Sequence, residues 1–426
     1  MYKTLRVLVG LAALCMAHTT QAQLISNTPY SRFGLGEINE NYGNIRNAGM
    51  AGIGVSSGNS YQVNTSNPAL LYYNSITNFD MGIAGQVKRV SNESNSQVDG
   101  NGNLHNLSLS VPVSKRWSAA TGLRPFSTVN YTTTVTSPIE GNPEATLFKQ
   151  YVGSGGLSEA YFAHGVKITG GLTVGGSASY LFGNIASESA SIVSDPNLES
   201  VQQERVSLVD RTNYRGFLFK AGANYRQKLT DKLFLSAGGV YSFDSKLNAE
   251  RTLTFERITE PDAVLGSTSE NKVTLPSNYK AGISLDNNSN LTLAAEYVSY
   301  KWSDYKNFEG QTGELRDSYR MAVGGEYTPN ANAIDSYLKR IMYRGGLYYS
   351  ETPYQQNGQG ITDKGVTAGA TLPIGRSTVY DMYQLSVSFG YGERGTTQSG
   401  LIKEDYFQFG LGFTVNSRWF IKRRVD

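Results

Sequence analysis

The last predicted strand, residues 407–415, constrains the fold more than any other part of this sequence. Its positions alternate between large apolar side chains and small or polar ones: Phe407, Phe409, Leu411, Phe413 and Val415 are separated by Gln408, Gly410, Gly412 and Thr414. Because successive side chains of a β-strand point to opposite faces, this period of two predicts one apolar face and one polar face. Such strands are typical of a closed barrel with lipid outside and a polar lumen inside.

Fourteen segments of this kind follow Asn78. Their cores are residues 79–88, 106–113, 118–134, 157–168, 172–185, 214–225, 233–243, 273–285, 291–300, 319–327, 342–349, 365–372, 384–391 and 406–415. An even number agrees with single-chain bacterial barrels. The sequence therefore predicts an all-β fold, a 14-stranded antiparallel transmembrane β-barrel over residues 78–426. A secreted β-sandwich or a propeller is the competing interpretation, and the self-similar blades of a propeller are not visible in the sequence.

The connections between these segments alternate between short and long. The short ones are residues 114–117, 169–171, 228–232, 286–290, 329–338 and 373–382, and they contain the Gly, Asn or Asp of tight turns. The long ones are residues 91–105, 137–150, 194–208, 249–271, 303–317, 351–364 and 392–405, and they are polar. In outer-membrane barrels the short turns are periplasmic and the long loops lie outside. This pattern predicts that both termini are periplasmic.

Residues 1–22 have the features of a signal peptide. Lys3 and Arg6 precede an apolar run at residues 7–17, and small residues at positions 20 and 22 form a cleavage site. The single cysteine, Cys15, lies inside this segment. The mature chain would then contain no thiol, which excludes a disulfide, a cysteine metal site and a cysteine nucleophile.

Composition excludes two further classes of protein. After the signal peptide, the chain has no apolar run of about 18 residues, so it contains no candidate transmembrane helix. The formal net charge is only +3 without a long basic block, and this argues against nucleic-acid binding. The 46 glycines and 28 tyrosines agree with a curved wall and with aromatic side chains at two membrane interfaces.

Residues 23–77 precede the first strand and are rich in Asn and Gly. They are too few for a separate domain with its own core. The segment nevertheless contains Met50, Ile53, Leu70 and Leu71, so it is not purely polar. A half-apolar segment of this length fits inside the barrel, and we expect it to form a plug.

This segment contains two motifs ahead of the first strand. The residues concerned are Arg46, Gly49, Met50, Gly52 and Gly54 in the first motif and Asn67, Pro68 and Ala69 in the second. They resemble the N-terminal signature of the FadL-type outer-membrane fatty-acid and hydrocarbon transporters, in which an "R-x-x-G-M-G-G" stretch precedes "N-P-A". The accessory barrel of type IX secretion is similar to the same family. The motif either connects the plug to the wall or takes part in gating.

The resemblance implies a fourteen-stranded barrel in the bacterial outer membrane. It also implies passive transport of hydrophobic or amphipathic small molecules, with an accessory role in an outer-membrane secretion or assembly complex as the alternative. A dry apolar cavity beneath the outer loops would favour transport, and a sealed, charge-paired lumen with exposed aromatic loops would favour the accessory role. The partners expected are outer-membrane lipid, a hydrophobic ligand and other envelope proteins.

No catalytic or metal-binding constellation is visible. The mature chain has two histidines, His105 and His164, and neither lies in a zinc-binding motif. We therefore predict that the protein is not an enzyme and that it has no cofactor and no metal.

Five charged residues are predicted to point into the lumen, because their neighbours along the strands are apolar. They are Lys220, Glu296, Arg320, Glu326 and Arg344. They either anchor the N-terminal segment or line a polar permeation path. Aromatic residues of the predicted outer loops, among them Tyr300, Trp302 and Tyr305, are expected at the membrane interface or on a partner surface.

Overall fold

The computed structural model describes residues 28–39, 43–194, 205–257, 268–356, 358–376 and 381–417. The predicted signal peptide and the extreme C-terminus lie outside these residues. Within them, seventeen strands form one sheet. The strands are β1 (Glu37–Ile38), β2 (Thr77–Ser91), β3 (Ser96–Ser114), β4 (Trp117–Ile139), β5 (Asn142–Thr169), β6 (Leu172–Ser194), β7 (Arg205–Thr230), β8 (Leu233–Ser242), β9 (Ser245–Arg257), β10 (Ser269–Leu275), β11 (Asn278–Asp286), β12 (Leu291–Tyr300), β13 (Ser318–Tyr327), β14 (Met342–Gln356), β15 (Gln359–Arg376), β16 (Met382–Gly395) and β17 (Lys403–Ser417).

The sheet closes into a barrel of fourteen wall strands. Strand β17 pairs with β2 along the whole length from Lys403↔Ser91 to Ser417↔Thr77. Strands β8 and β9 are two halves of one wall strand, and β10 and β11 are two halves of the next, because β9 pairs with β10 and β8 pairs with β11. Strand β1 is not part of the wall and pairs with β4. The predicted fold, a 14-stranded antiparallel barrel, is confirmed.

The break between β10 and β11 has a local cause. Pro276 and Ser277 separate the two halves. A proline has no N–H to donate to a neighbouring strand, so the ladder is interrupted there. The opposing break, between Ser242 and Ser245, lies beside it in the sheet because Asn278 pairs with Ser242.

Large apolar side chains on the outer face form a belt around the barrel. Phe217, Phe219, Leu293, Met321, Val323, Leu347, Phe389, Phe407 and Phe409 are all at least half exposed. Tyrosines such as Tyr279, Tyr327 and Tyr391 are also exposed on this wall. The alternation seen in the sequence therefore places apolar groups outside, where lipid would cover them. Among the described residues, no helix is both long and apolar enough to cross a membrane.

The two ends of the barrel are distinguished by the connections between the strands. We call the end with the connections 115–116, 170–171, 231–232, 287–290, 328–341 and 377–381 the turn end, and the opposite end the loop end. Three of the predicted long loops, at residues 91–105, 137–150 and 351–364, are mostly continued strand with short turns. That prediction was wrong, because cross-strand hydrogen bonds satisfy the backbone even where the side chains are polar on both faces. Strand β5 reaches 28 residues, well beyond the roughly 9–11 that span a bilayer.

In the described part of the chain, helical structure is limited to short pieces. Helix α1 is Ile45–Ala48, and 3-10 turns occupy Pro29–Arg32, Pro68–Tyr73, Trp302–Asp304, Leu338–Arg340 and Gln398–Gly400. Helix α1 begins after Asn44, whose side chain accepts a hydrogen bond from the backbone N–H of Asn47. The turn at Pro68 follows Asn67 in the same way, since Asn67 accepts from the backbone N–H of Ala69.

Candidate functional site

Residues 43–76 contact the inner face of strands on different sides of the barrel. The Asn67 amide donates to the carbonyl of Ala223 on β7 at 3.1 Å. On β11 and β16, Ser284 donates to the Ser56 carbonyl at 3.1 Å, and Gln62 donates to Ser386 at 3.0 Å. Because β16 lies on the opposite side of the closed sheet from β7 and β11, the segment lies within the barrel.

Asparagine side chains hold this segment in shape. Asn47 donates to the carbonyl of Ile53 at 2.5 Å, and Asn67 donates to that of Val55 at 2.8 Å. Asn67 also accepts from the N–H of Ala69 at 3.0 Å. Backbone groups that regular structure leaves unpaired are therefore satisfied by side chains.

The glycines of the first motif allow close approach and a left-handed turn. A Cβ on Gly49 would lie only 3.0 Å from the Cα of Gly369 on β15. Gly52 has φ +74°, a conformation that other residues rarely adopt. Between them, the side chain of Met50 is fully buried and packs with Ile53.

Two arginines share one carboxylate beneath helix α1. Arg46 donates to Glu326 at 2.8 and 3.1 Å, and Arg344 on β14 donates to the same carboxylate at 2.5 Å. Arg344 also donates to Thr371 at 2.8 Å. The three charged side chains are between 0% and 13% exposed. This cluster joins the N-terminal segment to strands β13 and β14.

Two other residues of the predicted lumen set bind the backbone of the segment. Glu296 accepts from the N–H groups of Gly54 and Val55 at 2.9 and 3.0 Å. Arg320 donates to the carbonyl of Ala51 at 3.0 Å, and its guanidinium lies 4.5 Å from the ring centre of Tyr348.

Lys220 lies in a separate ion-paired group. Its Nζ is 3.5 Å from Glu159 on β5, which also accepts from Arg124 at 3.0 Å. Arg124 in turn donates to Thr65 of the N-terminal segment at 2.9 Å. The structure therefore brings four of the five predicted charges near residues 46–55 and places the fifth in this group.

A third charged group was missed by the sequence analysis. Arg394 contacts the carboxylates of Glu37, Asp363 and Glu404 at 2.7, 3.1 and 3.3 Å, and Lys88 lies 3.6 Å from Glu404. Two members of this group could have been found from the sequence, because Lys88 and Glu404 both occupy lumen-facing positions of strands with alternating apolar and polar residues. Strand β1 is held in place by this group through Glu37.

The loop end of the lumen contains an apolar cluster. Its buried members are Tyr30, Leu35, Phe126, Leu157, Leu181, Leu218, Leu247, Val273, Leu275, Val298, Tyr300, Trp302, Tyr305, Leu315, Tyr354, Ile361 and Leu401, with Ala249. Tyr300, Trp302 and Tyr305 were expected on the surface, and they are only 3–4% exposed. The loop after β12 turns inward because it can bury these rings against the lumen. Burial raises the pKa of Tyr30 to about 12, and its hydroxyl donates to the carbonyl of Ile402 at 2.5 Å.

A chamber of about 240 Å³ lies between the apolar cluster and helix α1. Toward the loop end it is bounded by Thr28, β1 and Trp302, and toward the turn end by Ile45 and Ala48. Its wall carries polar side chains: Gln86, Asn101, Asn103, His105, Arg320, Tyr348, Ser350, Asp363, Ser388, Arg394, Tyr406 and Gln408. The chamber is therefore not a dry apolar pocket.

The barrel wall is open beside this chamber, between β3 and β4. These strands pair only from Leu107↔Leu123 to Ser114↔Trp117. Beyond that point residues 96–106 of β3 pair with β2 alone among the described strands, and β4 pairs with the two residues of β1 instead. We call this gap, between residues 96–106 and 124–139, the side seam. Residues from both of its edges line the chamber.

The side seam lies at the level of the apolar belt. Leu107, where β3–β4 pairing ends, is opposite Met81, and Gly100 is opposite Val87. Met81 and Val87 are 43% and 45% exposed on the outer face. His105 is an extra residue between the pairs Gly82↔Asn106 and Ile83↔Leu104, so β3 contains a bulge where the seam begins. A bulge bends its strand, and this is the local reason for the separation.

The second histidine lies outside the chamber. His164 accepts a hydrogen bond from the indole N–H of Trp117 at 3.0 Å and packs edge-on against Phe162. Among the described residues, no three His, Cys, Asp or Glu side chains are grouped as metal ligands would be.

Comparison with known families identifies the chain. The family model described as BamG matches residues 1–426. The chain belongs to the BamG family. No curated protein matches this BamG-family chain.

Solved structures share its fold at low sequence identity. The Pseudomonas putida toluene transporter TodX has a TM-score of 0.55 at 16% identity, covering 90% of this chain and 99% of that one. A Pseudomonas aeruginosa FadL homologue has a TM-score of 0.55 at 15% identity, with 88% and 98% coverage. The CymD monoaromatic hydrocarbon channel has a TM-score of 0.53 at 16% identity, with 90% and 98% coverage. The BamG-family chain therefore has the FadL-type barrel fold, as the motif resemblance implied.

Proposed function

We propose that this BamG-family protein is a non-enzymatic, passive channel of the bacterial outer membrane. In this proposal a small amphipathic molecule exchanges between the chamber and the bilayer through the side seam. The observation that carries the proposal is the seam itself, because it joins a lumenal chamber to the apolar belt of the barrel. Structural neighbours described as toluene and hydrocarbon channels agree with this reading.

We further propose that residues 43–76 act as the plug and that the turn end is periplasmic. The first proposal is supported by the position of the segment within the lumen and by its contacts with the wall through Arg46, Glu296 and Arg320. The second is supported by the short turns, which are the periplasmic feature of outer-membrane barrels. This orientation places the C-terminal end of β17 in the periplasm, whereas Thr28, which is bonded to Asn130 and Lys88, lies at the loop end of the lumen.

An accessory role in an envelope complex is the second candidate. It is favoured by the connection 328–341, the longest at the turn end, where Ile334 is fully exposed and Leu338 is 64% exposed. The ion-paired lumen also agrees with a structural role. Native mass spectrometry of the protein, purified gently from its own membrane, distinguishes the two functions. A monomer with a retained small molecule supports the channel, and a stable complex with other envelope proteins supports the accessory role.

Blocking the side seam tests the channel directly. The predicted mature chain has no cysteine, so Asn103→Cys introduces a single thiol on the edge of β3. Attachment of a bulky maleimide there should reduce the entry of small amphipathic compounds into liposomes containing the protein to about one-tenth or less, because the adduct occupies the seam. The measurement is uptake before and after labelling.

The matched control is Arg116→Cys, on the exposed turn between β3 and β4. Labelling at this position should leave uptake unchanged, because β3 and β4 are fully paired at this end and the turn lies away from the seam. Equal uptake by labelled and unlabelled Asn103→Cys would show that the seam is not the route.

A further inference from the structure

We propose that the chamber binds a small zwitterion of the amino-acid type. Its carboxylate would lie on Arg320, and its ammonium group would lie toward His105 and the carboxylates around Arg394. The inference deepens the proposed channel function, on which it rests, by naming the chemistry of the molecule that occupies the chamber.

Arg320 supplies the positive end of the site. Its contacts are the Ala51 carbonyl and the ring of Tyr348, and none of the described carboxylates forms an ion pair with it. A half-buried guanidinium without a counter-charge is unfavourable, and a carboxylate is the group that it binds in a two-pronged hydrogen bond. An anionic group of a ligand in the chamber would provide the missing partner.

His105 supplies an acceptor. The residue is 8% exposed and lines the chamber, and its side chain is hydrogen-bonded to the backbone of Gly43. Its Nε2 has no hydrogen-bond partner among the described residues, so Nδ1 makes the bond to Gly43. With Nδ1 as the donor, Nε2 presents a lone pair. An ammonium group of a molecule in the chamber would supply the donor that a buried acceptor of this kind needs.

The group around Arg394 adds negative charge at the loop side. Three carboxylates, those of Glu37, Asp363 and Glu404, are matched there by two cations, Arg394 and Lys88. Counted with every group ionised, the difference is one negative charge, and Glu37 and Asp363 both line the chamber. The chamber therefore offers an unpaired cation on one side and an excess of carboxylate on the other, which is complementary to a molecule with both charges.

The lining of the chamber disfavours a hydrocarbon. Its volume of about 240 Å³ admits a small molecule of either kind and does not distinguish a zwitterion from a small hydrocarbon. Five amide side chains, Asn39, Gln86, Asn101, Asn103 and Gln408, border this space. A purely apolar occupant would remove water from these polar groups without replacing its hydrogen bonds.

A matched ligand series tests the proposal on the full-length protein in detergent. Trp302 lines the chamber, so a variant with Trp117→Phe and Trp419→Phe reports binding through its remaining tryptophan. The four ligands share a benzene ring and a two-carbon chain: phenylalanine, 3-phenylpropionate, 2-phenylethylamine and ethylbenzene. We expect phenylalanine to bind at least about tenfold more tightly than the other three, which each lack one or both charges.

Variants in the same background locate the two charged ends. Arg320→Gln and His105→Leu should each weaken phenylalanine binding about tenfold or more, and Arg320→Lys should restore part of the loss. Arg116→Gln, on the exposed turn between β3 and β4, is the control and should bind normally. Tightest binding by ethylbenzene, equal binding of phenylalanine and 3-phenylpropionate, unchanged affinity in Arg320→Gln, or no binding of any ligand would each overturn the proposal.

The binding and uptake measurements together distinguish an incorrect channel function from an incorrect zwitterion site. Binding of phenylalanine without seam-dependent uptake would contradict the channel and leave the binding site in place. Seam-dependent uptake of ethylbenzene, but not of phenylalanine, would support the channel and overturn the zwitterion site.

Discussion

Glu326→Gln should destabilise the attachment of the N-terminal segment by about 3–5 kcal/mol, the usual cost of leaving a buried charge without its partner. The substitution keeps the shape of the side chain but leaves Arg46 and Arg344, both almost fully buried, without a counter-charge. We expect a lower thermal unfolding midpoint in detergent and faster cleavage of the N-terminal segment by protease. Both are measured on the intact protein.

The matched control for this prediction is Asp335→Asn. Asp335 pairs with Lys339 at 2.5 Å on the turn-end connection 328–341, where the two side chains are 68% and 50% exposed. Exposed pairs contribute about 0–1 kcal/mol, so the unfolding midpoint should hardly change. Equal effects of the two substitutions would contradict a fastening role for Glu326.

Deletion of residues 23–66 should give the second large effect, a marked rise in single-channel conductance. The deletion removes the floor of the chamber together with α1, the glycine motif and the contacts to Glu296, Arg320 and Glu326. Because the fourteen wall strands begin at Thr77, the wall can still close through the β17–β2 pairing. Planar-bilayer recordings with small polar solutes and ions measure the leak.

The barrel itself must be shown to survive the deletion. Retention of the β-sheet circular dichroism spectrum and of heat-dependent gel mobility is the control. With these intact, an unchanged conductance would show that the segment does not block the lumen, and the proposed plug would then be wrong.

Much of the wall could be predicted from the sequence because its signal is local. In β17, the alternation from Phe407 to Val415 shows which face of the sheet each side chain occupies. In the structure, the side chain of Phe407 is 63% exposed and that of Thr414 is 1% exposed. The same local alternation gave the number of wall strands. It failed at the ends of the strands, since residues 142–150 lie outside the apolar belt and lose the pattern while they keep their hydrogen bonds.

The chamber could not be predicted because it depends on which distant residues meet. Alternation showed that Glu326 faces inward, but Arg46 is its partner across 280 residues of sequence. The register between strands and the path of residues 28–76 decide such pairs, and neither leaves a local signal. The sequence analysis considered His105 only as a possible metal ligand. The β-bulge that turns its side chain into the chamber depends on how β3 pairs with β2, and the sequence of β3 alone does not show this pairing.

By itself, the sequence determined the strand period, the number of wall strands and the face on which each residue lies, because these follow from neighbours along one strand. Only the tertiary structure decided where the wall opens, which charges share a carboxylate and why Trp302 is buried. These features require closure of the barrel around its own N-terminal segment. Closure brings together side chains that are far apart in the sequence, and nothing in the sequence near either side chain indicates their contact.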